Sequence, residues 1–102
     1  TGYVGIGVHF GAAATASTAY TTGLPLTDQV TATYAYGGLA TICLLGSNIW
    51  SMSSTIASGT TTTNGSGFGA GTISLGAQLT AVRFTTSGGD TFDAGSINIL
   101  YE

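Results

Sequence analysis

Two aspartates in the C-terminal part of the chain are the most suggestive pair for chemistry. Asp90 and Asp93 lie three residues apart in a glycine-rich stretch, residues 88–95. Loop carboxylates of this kind can begin a calcium site, which needs six to eight oxygen ligands. Two simpler interpretations are favoured: the carboxylates accept hydrogen bonds that hold turns, or one of them pairs with Arg83. We therefore predict no metal site and no cofactor.

The residues needed for catalysis do not occur in a recognisable arrangement. His9 is the only histidine, and no G-x-S-x-G nucleophile motif is present, since Gly65-Ser66-Gly67 is the nearest approach to one. A carboxylate pair for glycoside cleavage could be drawn only from Asp28, Asp90 and Asp93, and nothing around them would raise a pKa. We predict that the chain is not an enzyme, with no catalytic residue and with His9 at the solvent or at a subunit interface.

Aromatic residues could instead bind a ligand by stacking on a sugar ring. Tyr3 and Tyr20 are expected near turns and exposed, so together with Asp90 and Asp93 they are the candidate ligand-binding residues. Other aromatics are expected in the core: Tyr34 and Tyr36 are in the apolar phase of a strand, and Trp50 is expected to anchor the core with Met52.

The elements that would carry these residues are predicted to be strands. Val4, Ile6, Val8 and Phe10 occupy alternate positions, which indicates a strand with one buried face. Gly5 and Gly7 lie on the other face, where they would let another chain approach closely, so with His9 they are candidate oligomer contacts. The same reasoning along the chain predicts strands at 3–10, 18–22, 30–36, 39–45, 49–56, 72–75, 79–86 and 97–101.

These short strands predict an all-β fold in one domain, residues 1–102. The architecture expected is a single antiparallel β-sandwich of six to eight short strands, either jelly-roll-like or immunoglobulin-like. Gly37-Gly38 is expected to form a hairpin turn. The apolar run 39–45 is expected to be covered on both faces with Cys43 buried, and the low-complexity stretch 59–71 is expected to be a mobile loop.

The charge content limits the partners. Charged residues make up 5% of the chain and the net charge is −3, with one Lys or Arg in total. Such a chain lacks the cations that bind nucleic acid or anionic membrane surfaces. It also lacks an apolar run long enough for membrane insertion. Uncharged faces suit symmetric packing, because few ions need desolvation when copies meet.

Two segments carry a resemblance to a known group of proteins. One is Thr22-Gly23-Leu24-Pro25-Leu26-Thr27; the other combines residues 79–86 with the final run 89–102, which ends on Tyr101-Glu102. Together they resemble the small β-sandwich domains of tailed bacteriophages, found at the C-terminal ends of tail fibres and tailspikes or as capsid decoration proteins. The resemblance covers about half of the chain and supplies no catalytic residue.

The resemblance implies a virion component, made in the host cytoplasm, that assembles with itself and with other virion proteins. The resemblance favours a trimer as the homo-oligomer and allows a contact with a host surface glycan. We therefore expect a non-enzymatic structural or assembly module of a phage particle. The alternatives are a lectin-like domain that recognises host glycans and a fibre-forming surface protein unrelated to phage.

Overall fold

The computed structural model describes residues 2–11, 15–28, 33–86, 91–92 and 94–101. Within them the chain forms five strands and no helix, which confirms the prediction of an all-β fold. The strands are β1 (Tyr3–Gly11), β2 (Thr15–Tyr20), β3 (Ala35–Gly46), β4 (Ile49–Gly59) and β5 (Asn64–Ser74).

All five strands belong to one antiparallel sheet with the order β2-β1-β5-β4-β3. Strands β3, β4 and β5 form a meander, and β5 then pairs with β1, so the N-terminal strand pair completes the sheet. The β3–β4 connection has positive φ at Ser47 (50°) and Asn48 (61°), the pattern that matches the twist of a tight hairpin. The β4–β5 turn is closed by a hydrogen bond from the Thr60 amide to the Thr63 carbonyl (2.8 Å).

The prediction of a mobile loop at residues 59–71 is wrong over most of that stretch. Residues 64–74 form β5, the central strand, which pairs with β1 on one side and β4 on the other. Gly65, Gly67, Gly69 and Gly71 occupy every second position of this strand. The low complexity therefore concealed a period of two, in which one face of the strand carries only hydrogen atoms from residue 65 to residue 71.

Strand β3 differs from its prediction in three ways. The Gly37-Gly38 pair lies inside β3 rather than in a turn, and the hairpin falls at 47–48. The strand is at the edge of the sheet and is not covered, because Leu39 is 72% exposed. Cys43, expected to be buried, is exposed as well, and so is Tyr36.

The two faces of the sheet are the reverse of those expected from β1. The face that carries Gly5 and Gly7 is covered, and we call it the inner face. The opposite face, here the outer face, carries Val4, which is 70% exposed, together with Ile6 and Phe10. The core lies on the inner face, where the buried apolar side chains are Met52, Ile56 and Ile73.

The remaining strand predictions have mixed outcomes. Strands were correctly predicted at 3–10 and 49–56, and the strand predicted at 18–22 occurs at 15–20. The strand predicted at 30–36 begins at Ala35, and residues 30–32 lie outside the described part of the chain. Residues 79–86 and 97–101, both predicted strands, lie outside any strand. In the ranges that the structure describes, no helix is long and apolar enough to cross a membrane.

Candidate functional site

The inner face is a shallow trough built from glycines. In the sheet register Gly5 lies opposite Gly71 and Gly7 lies opposite Gly69. Four neighbouring positions on two central strands therefore have no side chain. This flat surface lets another piece of backbone lie directly on the sheet.

Residues 23–28, here the crossing segment, occupy this trough. A β-carbon on Gly5 would lie 2.8 Å from Pro25 Cδ, and one on Gly7 would lie 3.0 Å from the Asp28 amide nitrogen. A β-carbon on Gly69 would overlap the Pro25 carbonyl oxygen. The glycines are thus required by the contact, because any larger side chain would push the segment away.

A buried serine fastens the crossing segment to the sheet. Ser54, on β4, donates a hydrogen bond from Oγ to the Leu26 carbonyl oxygen at 2.5 Å. This part-buried bond ties the backbone of the segment to β4, and a hydrogen bond of this kind contributes about 0.5–1.5 kcal/mol to stability. Pro25, next to it, is buried and has no amide hydrogen to satisfy.

The crossing segment ends in a small polar cluster around Asp28. Tyr20, on β2, donates from its hydroxyl to Asp28 Oδ1 at 3.1 Å. His9, on β1, places Nδ1 3.5 Å from Asp28 Oδ2, and the two side chains are 13% and 9% exposed. That distance allows an electrostatic contact but no hydrogen bond, and His9 Nδ1 is buried without a hydrogen-bond partner.

The cluster shifts the ionisation of Tyr20. Burial raises the pKa of the Tyr20 phenol, and the hydrogen bond to Asp28 and the negative charge of that carboxylate raise it further. The phenol therefore stays a hydrogen-bond donor over the whole neutral range. The arrangement links β1, β2 and the end of the crossing segment through one carboxylate.

The predicted site residues fall into three groups. Gly5, Gly7 and His9 lie on the inner face, where the close approach expected at the glycines is made by the chain's own crossing segment. A contact of these residues with a second copy stays a prediction. Tyr3 and Tyr20 are half-buried on the same face, and their ligand-binding role also stays a prediction. Asp90 and Asp93 lie outside the described residues.

The outer face is the surface that sequence reasoning missed. It combines the apolar row of β1 with Phe68 of β5, and the Phe10 and Phe68 rings meet edge to face with centroids 6.0 Å apart. Phe68 was assigned to a loop, although its place in an alternating Ser66-Phe68-Ala70 series could have placed it on a strand. Ser, Thr and Ala from β4 and β5 occupy much of the rest of this face.

Two surface depressions can be compared with the predicted ligand-binding residues. One open depression in the described part of the chain is lined by residues 75–81, and another is lined by Phe10, Gly11 and residues 64–66. Neither is lined by a predicted ligand-binding residue. Within the described ranges no three His, Cys, Asp or Glu side chains are grouped as a metal site would require.

Comparison of the chain with protein-family models, with curated proteins and with solved structures finds no match.

Proposed function

We propose that this chain is a non-enzymatic structural module that assembles with copies of itself in a bacteriophage particle. Its surface area carries the proposal. The chain exposes 7280 Å² for a mass of 10.1 kDa. A monomeric globular protein of that mass exposes about 5,300 Å². The excess, about 2,000 Å² per chain, is larger than the roughly 800 Å² that each partner buries in a standard interface and lies in the range of the larger obligate interfaces.

The outer face contributes part of the exposed apolar surface. Val4, Ile6, Phe10 and Phe68 are all exposed, whereas the hydrophobic core of the described ranges consists of Met52, Ile56 and Ile73. An apolar sheet face is normally covered by a second layer of structure. In the proposed assembly the outer face of each copy packs against neighbouring copies around the symmetry axis, so that the packed layers expected for a β-sandwich form between copies.

The charge distribution suits such packing. None of the five strands contains an Asp, Glu, Lys or Arg residue. Stacking two of these sheets therefore desolvates hydroxyls and methyl groups but no ions, which removes the largest cost of burying a polar surface.

The place in a phage particle is supported by the resemblance of residues 22–27, 79–86 and 89–102 to phage tail-fibre, tailspike and decoration domains. The chain would serve as the distal domain of a tail fibre or as a capsid decoration protein, with other virion proteins as partners. Co-sedimentation of the chain with purified particles, in a fixed number of copies, tests this placement. Recovery only in the particle-free supernatant would contradict it.

The assembly proposal is tested by making the outer face more polar while keeping β-branched side chains on it. Val4→Thr combined with Ile6→Thr keeps two β-branched side chains in β1 and adds two hydroxyls. We expect sedimentation equilibrium to show weaker self-association for this double variant than for the unmodified chain. Val82→Thr is the matched control, because Val82 and Ile6 are both 47% exposed but Val82 lies outside the sheet. Equal association of all three proteins would contradict a role for the outer face.

A further inference from the structure

Strand β3 has the properties of an unprotected sheet edge. It is 12 residues long and ends the sheet, so one side of its backbone has no neighbouring strand in the described structure. Natural edge strands are usually protected by charges, by proline or by short length. β3 has none of these: its sequence, AYGGLATICLLG, is uncharged and lacks proline.

The chain also contains a strand-like segment that pairs with no strand of the described structure. Residues 97–101 alternate Ile97, Ile99 and Tyr101, yet they belong to no strand. Ile99 is 71% exposed and Leu100 is 96% exposed, so almost none of this apolar surface is covered. An alternating segment gains hydrogen bonds and apolar contacts when it is added to an open edge.

We propose that residues 97–101 of one copy pair with the β3 edge of a second copy and extend its sheet. This inference rests on the proposed assembly function and names the contact that would hold neighbouring copies together. Both surfaces are uncharged, so the pairing desolvates no ion. Residues 75–96, which join β5 to the pairing segment, can span about 70 Å at about 3.3 Å per residue, which is enough to reach a neighbouring copy.

The proposed contact joins two different parts of the chain, so it is heterologous. A heterologous contact whose rotation closes around an axis gives a ring, and each copy in the ring donates one segment and accepts another. This geometry leaves no open β3 edge and no free segment in the assembly. It is compatible with the trimer implied by the resemblance.

Cys43 allows the contact to be tested directly, since it is the only cysteine and lies exposed on β3. We would introduce Ile97→Cys, Asn98→Cys, Ile99→Cys and Leu100→Cys singly and oxidise each protein mildly. Only residues directly opposite each other across strands come within the distance of about 4.4–6.8 Å between Cα atoms that a disulfide needs. All four positions lie outside the strands, so the sheet should fold as before. Gln78→Cys, also exposed outside the strands, is the control.

The inference predicts that one scanned position gives a ladder of dimers and larger species on a non-reducing denaturing gel, far above the control. That variant is then combined with Cys43→Ser and mixed with unmodified chain during refolding. Each chain in the mixture then has one cysteine, so cross-linking should give dimers only. Four results would overturn the inference: a compact monomer with no free thiol, equal cross-linking at every position, cross-linking of the unmodified chain through Cys43 alone, or no cross-linking above the control. Light scattering on the unmodified chain separates the two proposals, because an oligomer without the specific cross-link would refute this contact and leave assembly standing.

Discussion

Replacing Gly69 with alanine should destabilise the protein far more than the size of one methyl group suggests. A β-carbon at this position would overlap the Pro25 carbonyl oxygen and lie 2.8 Å from Ser54 Oγ. The first obstacle is backbone, so it cannot move aside by a change of rotamer. The crossing segment must lift, and the hydrogen bond from Ser54 to the Leu26 carbonyl should be lost with it.

The expected cost follows from these contacts. Overpacking a tight site costs about 1–3 kcal/mol, and a backbone obstacle favours the upper end of that range. Loss of the hydrogen bond adds about 1 kcal/mol. The lower chain entropy of alanine in the unfolded state returns about 0.5–1 kcal/mol. We expect a net loss of about 2–3 kcal/mol, a large share of the roughly 5–15 kcal/mol that stabilises a typical domain.

Gly37→Ala is the matched control, since Gly37 also lies within a strand and a β-carbon there meets nothing within 4 Å. Urea unfolding at one protein concentration, followed by the fluorescence of the single tryptophan, Trp50, measures both variants. We expect Gly37→Ala to match or slightly exceed the unmodified chain. A Gly69→Ala protein as stable as the Gly37→Ala protein would refute the account of the inner face.

Three further predictions concern the polar cluster around Asp28, the β3–β4 hairpin and glycan binding. Because the folded pKa of Tyr20 is raised above its ordinary value of 10.0, its stabilising contribution is complete below about pH 10. That contribution is lost as the pH rises through the folded pKa, so urea midpoints should fall there, and the fall should be smaller in Tyr20→Phe. Ser47→Gly should raise the free energy of unfolding by about 0.5–1 kcal/mol, because φ of 50° strains a residue with a β-carbon, and an unchanged urea midpoint would contradict this. A glycan array should show no specific binding, whereas a hit abolished by Tyr20→Phe would favour the lectin-like alternative.

The sequence pattern predicted the fold class and several strands because alternation is a local property. The row of Val4, Ile6, Val8 and Phe10 correctly indicated β1. Alternation shows that the two faces of a strand differ, but it does not show which face is covered. In β1 the covered face is the one that carries Gly5 and Gly7, because a face without side chains lets the backbone of residues 23–28 lie against the sheet.

Other features depend on contacts between distant parts of the chain. The order of strands placed β3 at the edge, which left Leu39 exposed although its run of apolar neighbours is typical of a covered strand. The contacts of Asp28 with Tyr20 and His9 arise only when the crossing segment lies on the sheet. Most of strand β5 was not predicted from the sequence for a different reason: its glycine content is typical of a loop.

The central claim is that this chain is built to assemble, and its native mass tests that claim most directly. Light scattering across a concentration series should give a stable trimer or larger closed oligomer of the 10.1-kDa chain. That result would account for the excess surface and for the exposed outer face. A monomer at every concentration would contradict the account.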